Sequence, residues 1–170
     1  MINGGAVALL TFVTLHRLAE LFWARHNTKH LLAAGGIEYG REHFPLMIGF
    51  HAVWLAGLWA LGYDEPIRPV FLGLFVVLQC ARYWVLATLG RRWTIRVIVV
   101  PGEKLITGGP YRLLRHPNYA VVAGEIAVVP LALGMPIYAV LFSIWDAAVL
   151  TVRIGAENAA LATVQQTETQ

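Results

Sequence analysis

The sequence has few of the residues on which disulfide-linked domains, zinc proteins and serine hydrolases depend. Its one cysteine, Cys80, excludes an internal disulfide and a zinc site built on cysteines. Ser143 is the one serine and no G-x-S-x-G elbow is present, which argues against a serine-triad hydrolase. G-x-G-x-x-G and P-loop patterns are also absent. His26 and His30 have a metal-ligand spacing, but no glutamate follows His26, and we expect no metal site.

Charged residues are scarce as well. They make up 14% of the chain, against about 25% in an average soluble domain, while 58% of the residues are hydrophobic and the mean hydropathy is +0.61. The net charge of +3 would suit a nucleic-acid-binding protein. The basic residues, however, lie in short segments between apolar runs, as in the loops of membrane proteins. We therefore expect a lipid bilayer, and no nucleic acid, as a partner.

Five apolar runs dominate the chain, at residues 5–23, 44–61, 70–89, 119–133 and 136–152. A spanning helix needs about 20 apolar residues, with about 17 at the short end. The last two runs are short and are separated by LGMP, which predicts a tight helical hairpin. With no internal repeat or linker, residues 1–170 are predicted to form a single all-α domain, an integral membrane bundle of about five transmembrane helices.

Basic residues are concentrated in alternate loops. Arg25, Lys29 and Arg41 follow the first run, whereas GYDEPIR after the second run has one arginine against two acids. The segment after the third run carries Arg91, Arg92, Arg96, Lys104, Arg112 and Arg115. Because cytoplasmic loops are rich in Lys and Arg, we expect the N-terminus outside and these loops in the cytoplasm. The opening MINGGAVALL lacks a basic n-region and is interpreted as a first membrane helix, not a cleaved signal.

Polar residues inside the apolar runs recur on single helical faces. Ionisable groups at membrane depth are costly and usually face the bundle interior. The residues with this pattern are His16, Glu20, Trp23 and Asn27 in the first helix, Gln79 and Arg82 in the third, Asn118 and Glu125 in the fourth, and Asp146, Arg153 and Glu157 in the fifth. One interpretation is that they pair only with each other, which we favour for Gln79, Arg82 and His51. For the set as a whole we favour a functional site.

The stretch GPYRLLRHPNYAVVAGE places polar chemistry directly before the fourth run. Gly108, Gly109 and Pro110 interrupt any helix, and Pro117 prevents one through His116. Residues 101–119 are thus predicted to form a structured cytoplasmic loop that delivers Tyr111, Arg115, His116 and Tyr119 to the mouth of the bundle. Arginines as charge anchors and tyrosines as interfacial residues would be a simpler explanation, but it leaves His116 and Glu125 without a role.

KLITGGPYRLLRHPNY, an apolar hairpin and then RIGAE resemble the isoprenylcysteine carboxyl methyltransferase family of membrane enzymes, which use S-adenosylmethionine. The resemblance covers residues 82–160. HRLAELFWARHNTKHLLAAGGIEYG and RYWVLATLGRRWTIRVIVVPG are similar to a bacterial branch associated with type III polyketide synthases, which implies a bacterial inner membrane. That branch methylates hydroxyls of alkylpyrones or alkylresorcinols.

The resemblance also implies roles for particular residues. Arg153 matches an arginine near the methyl acceptor, and Ala120 stands where a glycine often follows the tyrosine. Arg96 matches a further cofactor contact, at a position where the family can have a glutamine. The other implied cofactor contacts are Glu103, Lys104, Leu105, Ile106, Tyr111, His116, Pro117, Asn118, Tyr119 and Glu157.

These residues predict an S-adenosylmethionine-dependent O-methyltransferase acting on a lipophilic acceptor. A carboxylate acceptor of the isoprenylcysteine type needs no base, and Arg153 could orient it. A phenol or enol acceptor would benefit from a base, for which Glu125, His116 and Glu157 are candidates. Two alternatives remain open: a membrane reductase using a nicotinamide cofactor, and a non-enzymatic ion or proton path lined by Glu20, Glu125 and Asp146.

Overall fold

Five α-helices form most of the protein in a computed structural model that describes residues 3–167. They are α1 (Gly4–Ala33), α2 (Phe44–Gly62), α3 (Pro69–Leu89), α4 (Pro117–Ala132) and α5 (Pro136–Thr167). Four of them are long and apolar enough to cross a membrane. The exception is α4, whose 16 residues span about 24 Å at about 1.5 Å per residue, less than a bilayer core. The expected all-α membrane bundle is confirmed.

The helices α4 and α5 form the expected C-terminal hairpin. The turn places Gly134 at a φ of +72°, a left-handed conformation that glycine adopts without strain. The backbone N–H of Met135 donates to the Pro130 carbonyl over 2.9 Å, which closes the last turn of α4. Because α4 packs mainly on α3 and α5, the short helix is held inside the bundle.

The apolar core lies in the half of the bundle that carries the turn between α4 and α5. Phe50, Trp54 and Leu58 recur every four residues along α2 and are almost fully buried against Leu10 and Ile126. Large apolar side chains also cover the outside of the helices. Examples with more than half of the side chain exposed are Leu15, Phe22, Val77, Leu141 and Ile144. An apolar exterior of this kind is what lipid requires.

Three helix boundaries differ by more than one residue from those predicted. The first helix continues to Ala33 and the fifth to Thr167, beyond the predicted ends at residues 23 and 152. Hydropathy detects only the apolar part of a helix, so the polar extensions were missed. The fourth helix begins at Pro117 instead of residue 119, because proline suits the first position of a helix.

A small antiparallel sheet joins the two loops at the other end of the bundle. It consists of β1 (Ile37–Tyr39) and β2 (Val97–Val99), paired with Glu38 opposite Ile98. This sheet was not predicted, since three-residue strands are too short to show a period. We call this end of the bundle, which also carries the start of α4 and the C-terminal part of α5, the sheet end.

Candidate active site

A cavity of about 260 Å³ lies among α1, α2, α4 and α5. Its walls are mainly apolar, with Trp54, Val122, Val149 and Leu150 among the lining residues. The polar side chains that line it are Thr14, Arg17, Glu20, His51, Arg82, Thr94, Asn118, Tyr119, Asp146 and Arg153. An apolar chamber with a few polar groups is typical of a site for a small lipophilic ligand.

Three side chains surround Glu157 near the start of α4, and we call the four residues the Glu157 cluster. The Tyr119 hydroxyl donates a hydrogen bond to the Glu157 carboxylate. His116 occupies the position before the first turn of α4, its Nδ1 lies 3.6 Å from Glu157 Oε1, and its ring stacks on Tyr119 with centroids 5.6 Å apart. The fourth member, Tyr111, lies within the electrostatic influence of Glu157. The structure therefore brings together four residues implied to contact a cofactor.

Tyr111 is positioned by a 3₁₀ turn over Gly109–Arg112. Gly109 has a φ of +56°, and a Cβ atom there would lie 2.5 Å from Thr88 Oγ1, so the turn requires glycine. Burial and the nearby Glu157 carboxylate raise the pKa of Tyr111 to about 12. At neutral pH the Tyr111 hydroxyl keeps its proton and is a hydrogen-bond donor.

Arg153 joins the cavity to the Glu157 cluster. Its guanidinium donates to the Ile95 carbonyl and lies 5.8 Å from the centre of the Tyr119 ring. A guanidinium has five N–H donors, so this bond leaves others for a ligand. Tyr119 and Arg153 both line the cavity, and Tyr119 also belongs to the cluster. These two side chains mark the boundary between the two sites.

The remaining residues implied to contact a cofactor have other partners. Arg92 holds the exposed segment from Glu103 to Ile106, through an ion pair of 2.9 Å with Glu103 and a bond of 2.6 Å to the Lys104 carbonyl. Arg96 pairs with Glu38 across the small sheet, at 2.9 Å. The structure thus directs Arg96 to β1 and not to the Glu157 cluster, because the sheet brings the Glu38 carboxylate within reach of its guanidinium.

Glu125, a candidate base, belongs to a buried network of charges. Its Oε2 accepts from Arg17 at 2.5 Å and its Oε1 from Gln79 at 2.6 Å. Arg17 also contacts Glu20 at 3.0 Å, and Arg82 donates to Glu20 at 2.5 Å. Since both oxygens of Glu125 are occupied, the geometry favours a structural role.

The same network extends to the cavity through Asn118. Arg82 donates to the Asn118 side-chain oxygen at 3.0 Å, which fixes the first turn of α4. In the alternative ion path, two of the three carboxylates, those of Glu20 and Glu125, form ion pairs with Arg17 and Arg82. The pairing expected for Gln79 and Arg82 is present, and His51 is bonded to the Met47 carbonyl at 2.9 Å.

Sequence reasoning missed Arg17 and misplaced Trp23. Arg17 links the two buried glutamates, and its position three residues before Glu20 inside an apolar run was the available signal. Trp23 shares a predicted face with Glu20 and Asn27 but is 39% exposed, with its ring 5.5 Å from that of Trp93. Hence the inward face of α1 is narrower than its polar pattern suggests.

Asn27 and Thr28 hold the loop that covers the cavity at the sheet end. Asn27 donates to the Trp93 carbonyl at 2.7 Å, and Thr28 bonds to Thr94 at 3.0 Å. Elsewhere on α1, His26 and His30 have Nε2 atoms 3.0 Å apart on an exposed surface. Within residues 3–167 no group of three or more potential metal ligands is found.

Known proteins resemble this chain along most of its length. A protein of Bacillus subtilis, named uncharacterized protein YpbQ, is 39% identical over 158 residues, which cover 90% of this chain and 94% of YpbQ. An uncharacterized protein of Haemophilus influenzae is 24% identical over 152 residues, covering 81% of this chain and 83% of its own. No solved structure matches. The model of the isoprenylcysteine carboxyl methyltransferase family matches residues 71–163, which include most of α3, all of α4 and the Glu157 cluster. The chain therefore belongs to this family.

Proposed function

We propose that the protein is an S-adenosylmethionine-dependent O-methyltransferase that acts on a lipophilic acceptor in the bilayer. The observation that carries this proposal is the position of Tyr119 and Arg153. Both line an apolar cavity, while Tyr119 also belongs to the polar Glu157 cluster at the sheet end. A water-soluble donor and a lipid-soluble acceptor need two such sites in contact.

The Glu157 cluster has the chemistry to hold S-adenosylmethionine. His116 Nε2 is buried without a hydrogen-bond partner among the described residues, which leaves it free to bond a ligand. The Glu157 carboxylate suits ribose hydroxyls or an ammonium group, and the rings of Tyr111 and Tyr119 suit adenine or a sulfonium cation. The bound cofactor supplies an electrophilic methyl group. We retain Glu103 to Ile106 as further contacts by family resemblance.

On the acceptor side, Arg153 would bind the oxygen that receives the methyl group. Orientation of two reactants can lower a barrier by about 7–11 kcal/mol, so holding and desolvating the acceptor is the main task. For a carboxylate acceptor this suffices. For a phenol or enol, His116 and Glu157 lie nearest the boundary and are the candidate bases, whereas Glu125 is bound to Arg17 and Gln79.

The charges of the loops support one direction of the bundle in the membrane. The sheet end carries most of the basic loop residues, which favours a cytoplasmic location for it and an outside location for the N-terminus. S-Adenosylmethionine would then reach the Glu157 cluster from the cytoplasm, in a bacterial inner membrane. Acceptors of the alkylpyrone or alkylresorcinol kind fit the apolar cavity and belong to this proposal.

Calorimetry on the purified protein in lipid nanodiscs tests the proposed function. We expect S-adenosylmethionine to bind and NADPH not to bind. Binding of NADPH alone would support a membrane reductase instead. Ion conductance in liposomes, with neither ligand bound, would support an ion path. Lipid extracts from cells with and without the protein should differ by species about 14 daltons apart, the mass that methylation adds.

A further inference from the structure

Asp146 on α5 is a buried carboxylate that the proposed chemistry does not use. Its residue is 2% exposed, and it lines the cavity together with Trp54 and Val149. Within residues 3–162, whose side chains the structure describes, no hydrogen bond or ion pair is formed by Asp146. Arg17 lines the same cavity, but its guanidinium is bound to Glu20 and Glu125.

A buried carboxylate without a partner is expensive to maintain. Burying a polar group without a hydrogen bond costs free energy, and a charged group costs more. The other buried acidic residues, Glu20 and Glu125, each have an arginine partner. Asp146 lines the same cavity as Glu20 but, unlike Glu20 and Glu125, has no arginine bound to it among the described residues. Its missing partner is therefore expected to come from a ligand in that cavity.

Asp146 and Arg153 lie seven residues apart on one face of α5, which is two helical turns or about 10.5 Å along the axis. Helical side chains lean towards the start of their helix, and a long side chain such as that of Arg153 can bridge part of this gap. A guanidinium binds an oxygen that accepts hydrogen bonds, whereas a carboxylate binds a group that donates them. The cavity thus presents two complementary polar contacts along one wall.

We propose that Asp146 binds a second hydroxyl group of the acceptor, on the same apolar molecule as the oxygen held by Arg153. This inference rests on the proposed function of the cavity as the acceptor site. It narrows the substrate class to lipids with at least two oxygens, one methylated and one donating a hydrogen bond to Asp146. Lipids with a single polar head group would leave Asp146 unpaired.

Two probe lipids that differ by one hydroxyl test this inference. We would measure binding of 5-pentadecylresorcinol and 3-pentadecylphenol in nanodiscs by the change in tryptophan emission, since Trp54 lines the cavity. The wild-type protein should bind the resorcinol about tenfold more tightly, which corresponds to about 1.4 kcal/mol. Asp146→Val should bind the two probes equally. Equal binding by the wild type, a preference that persists in Asp146→Val, or binding of neither probe would overturn the inference.

Stability and cofactor binding distinguish this role from a structural one. Asp146→Val should melt at a higher temperature than the wild type, because it removes an unpaired buried carboxylate. A lower melting temperature with an unchanged probe preference would make Asp146 a structural residue. The matched control is Asp64→Asn, at the one other aspartate, which is exposed between α2 and α3. Calorimetry with S-adenosylmethionine on the same samples tests the proposed function separately, and Asp146→Val should leave that affinity unchanged.

Discussion

Arg153 and Glu157 lie one helical turn apart on α5, yet they bind different groups. Arg153 donates to the Ile95 carbonyl at the cavity, whereas Glu157 accepts from Tyr119 in the Glu157 cluster. Side chains four residues apart on a helix can form an ion pair, but these two have other hydrogen-bond partners. Tyr119 contacts both residues, but only Arg153 lines the cavity, so we expect substitution of Arg153 to affect mainly the acceptor and substitution of Glu157 mainly the cofactor.

Arg153→Lys should impair the acceptor and spare the cofactor. Lysine keeps the charge but loses the planar set of donors that can bind the Ile95 carbonyl and an acceptor oxygen together. We expect a higher KM for the acceptor or a lower kcat, with S-adenosylmethionine affinity nearly unchanged by calorimetry.

Glu157→Gln, the complementary variant, keeps the side-chain shape and removes the charge. It should cost about 1.5–3 kcal/mol of cofactor affinity, as for a hydrogen bond to a charged group. If Arg153→Lys and Glu157→Gln weaken both ligands equally and also melt earlier, the two residues are structural and the assignment of separate roles is wrong.

His116→Ala should weaken cofactor binding in a protein that remains folded. Pro117 occupies the first position of α4 and sets the start of the helix, while His116 Nε2 is buried without a partner among the described residues. The readouts are cofactor affinity and thermal unfolding. His26→Ala, at an exposed histidine of α1, is the control. Unchanged affinity in His116→Ala would limit His116 to a structural contact.

Residues of the site were predictable where one local pattern determined them. Prolines and glycines in residues 108–117 define the turns that carry Tyr111 and His116, and helical spacing places Glu157 on the face of Asp146. The pairing of Arg96 with Glu38 and that of Arg17 with Glu125 were not predictable, because each depends on a side chain from a distant segment. Asp146 was recognised as inward-facing, but its lack of a partner is visible only in three dimensions.

The helices α1, α3 and α4 are connected by an internally neutral network of charges. It contains Arg17, Glu20, Arg82 and Glu125, and three of its four side chains are almost fully buried. Removing one member of a buried ion pair typically costs about 3–5 kcal/mol, because the other charge is left uncompensated. Replacing both members by apolar residues is often nearly neutral.

Arg17→Met should therefore destabilise the protein more than the double variant Arg17→Met with Glu125→Met. In the single variant the Glu125 carboxylate loses its arginine and keeps only the bond from Gln79. In the double variant that unpaired carboxylate is removed as well, and Glu20 is paired with Arg82 in both variants. Melting temperature in detergent is the measurement. A double variant less stable than Arg17→Met would show that the pair contributes more than charge neutralisation, which would contradict this account.

Among the elements, the apolar centres of all five helices and the hairpin followed from hydropathy and from LGMP. The ends of α1 and α5 did not, because those turns extend past the apolar part of each helix. The pairing of β1 with β2 depends on two loops that lie far apart in the sequence, and no local pattern encodes it.

At the scale of the whole molecule, the charge pattern of the loops gives an orientation that can be measured. Single cysteines at Asp64 and Lys104 test it in a Cys80→Ala background, since both residues are exposed and lie at opposite ends of the bundle. In intact cells a membrane-impermeant maleimide should label Asp64→Cys only. Lys104→Cys should become labelled once the cells are permeabilised. Labelling of Lys104→Cys in intact cells would reverse the proposed orientation.

The charge network also affects how the chain is built into a membrane. Arg17 and Glu20 emerge from the ribosome first, but Arg82 follows Glu20 by 62 residues and Glu125 follows Arg17 by 108. An arginine at the bilayer centre costs about 2.5–3.5 kcal/mol during insertion, which the nearby Glu20 offsets in part. We therefore expect the first helix to stay beside the insertion machinery until the third and fourth helices supply Arg82 and Glu125. Release into lipid would then be a concerted step for three helices, instead of one helix at a time.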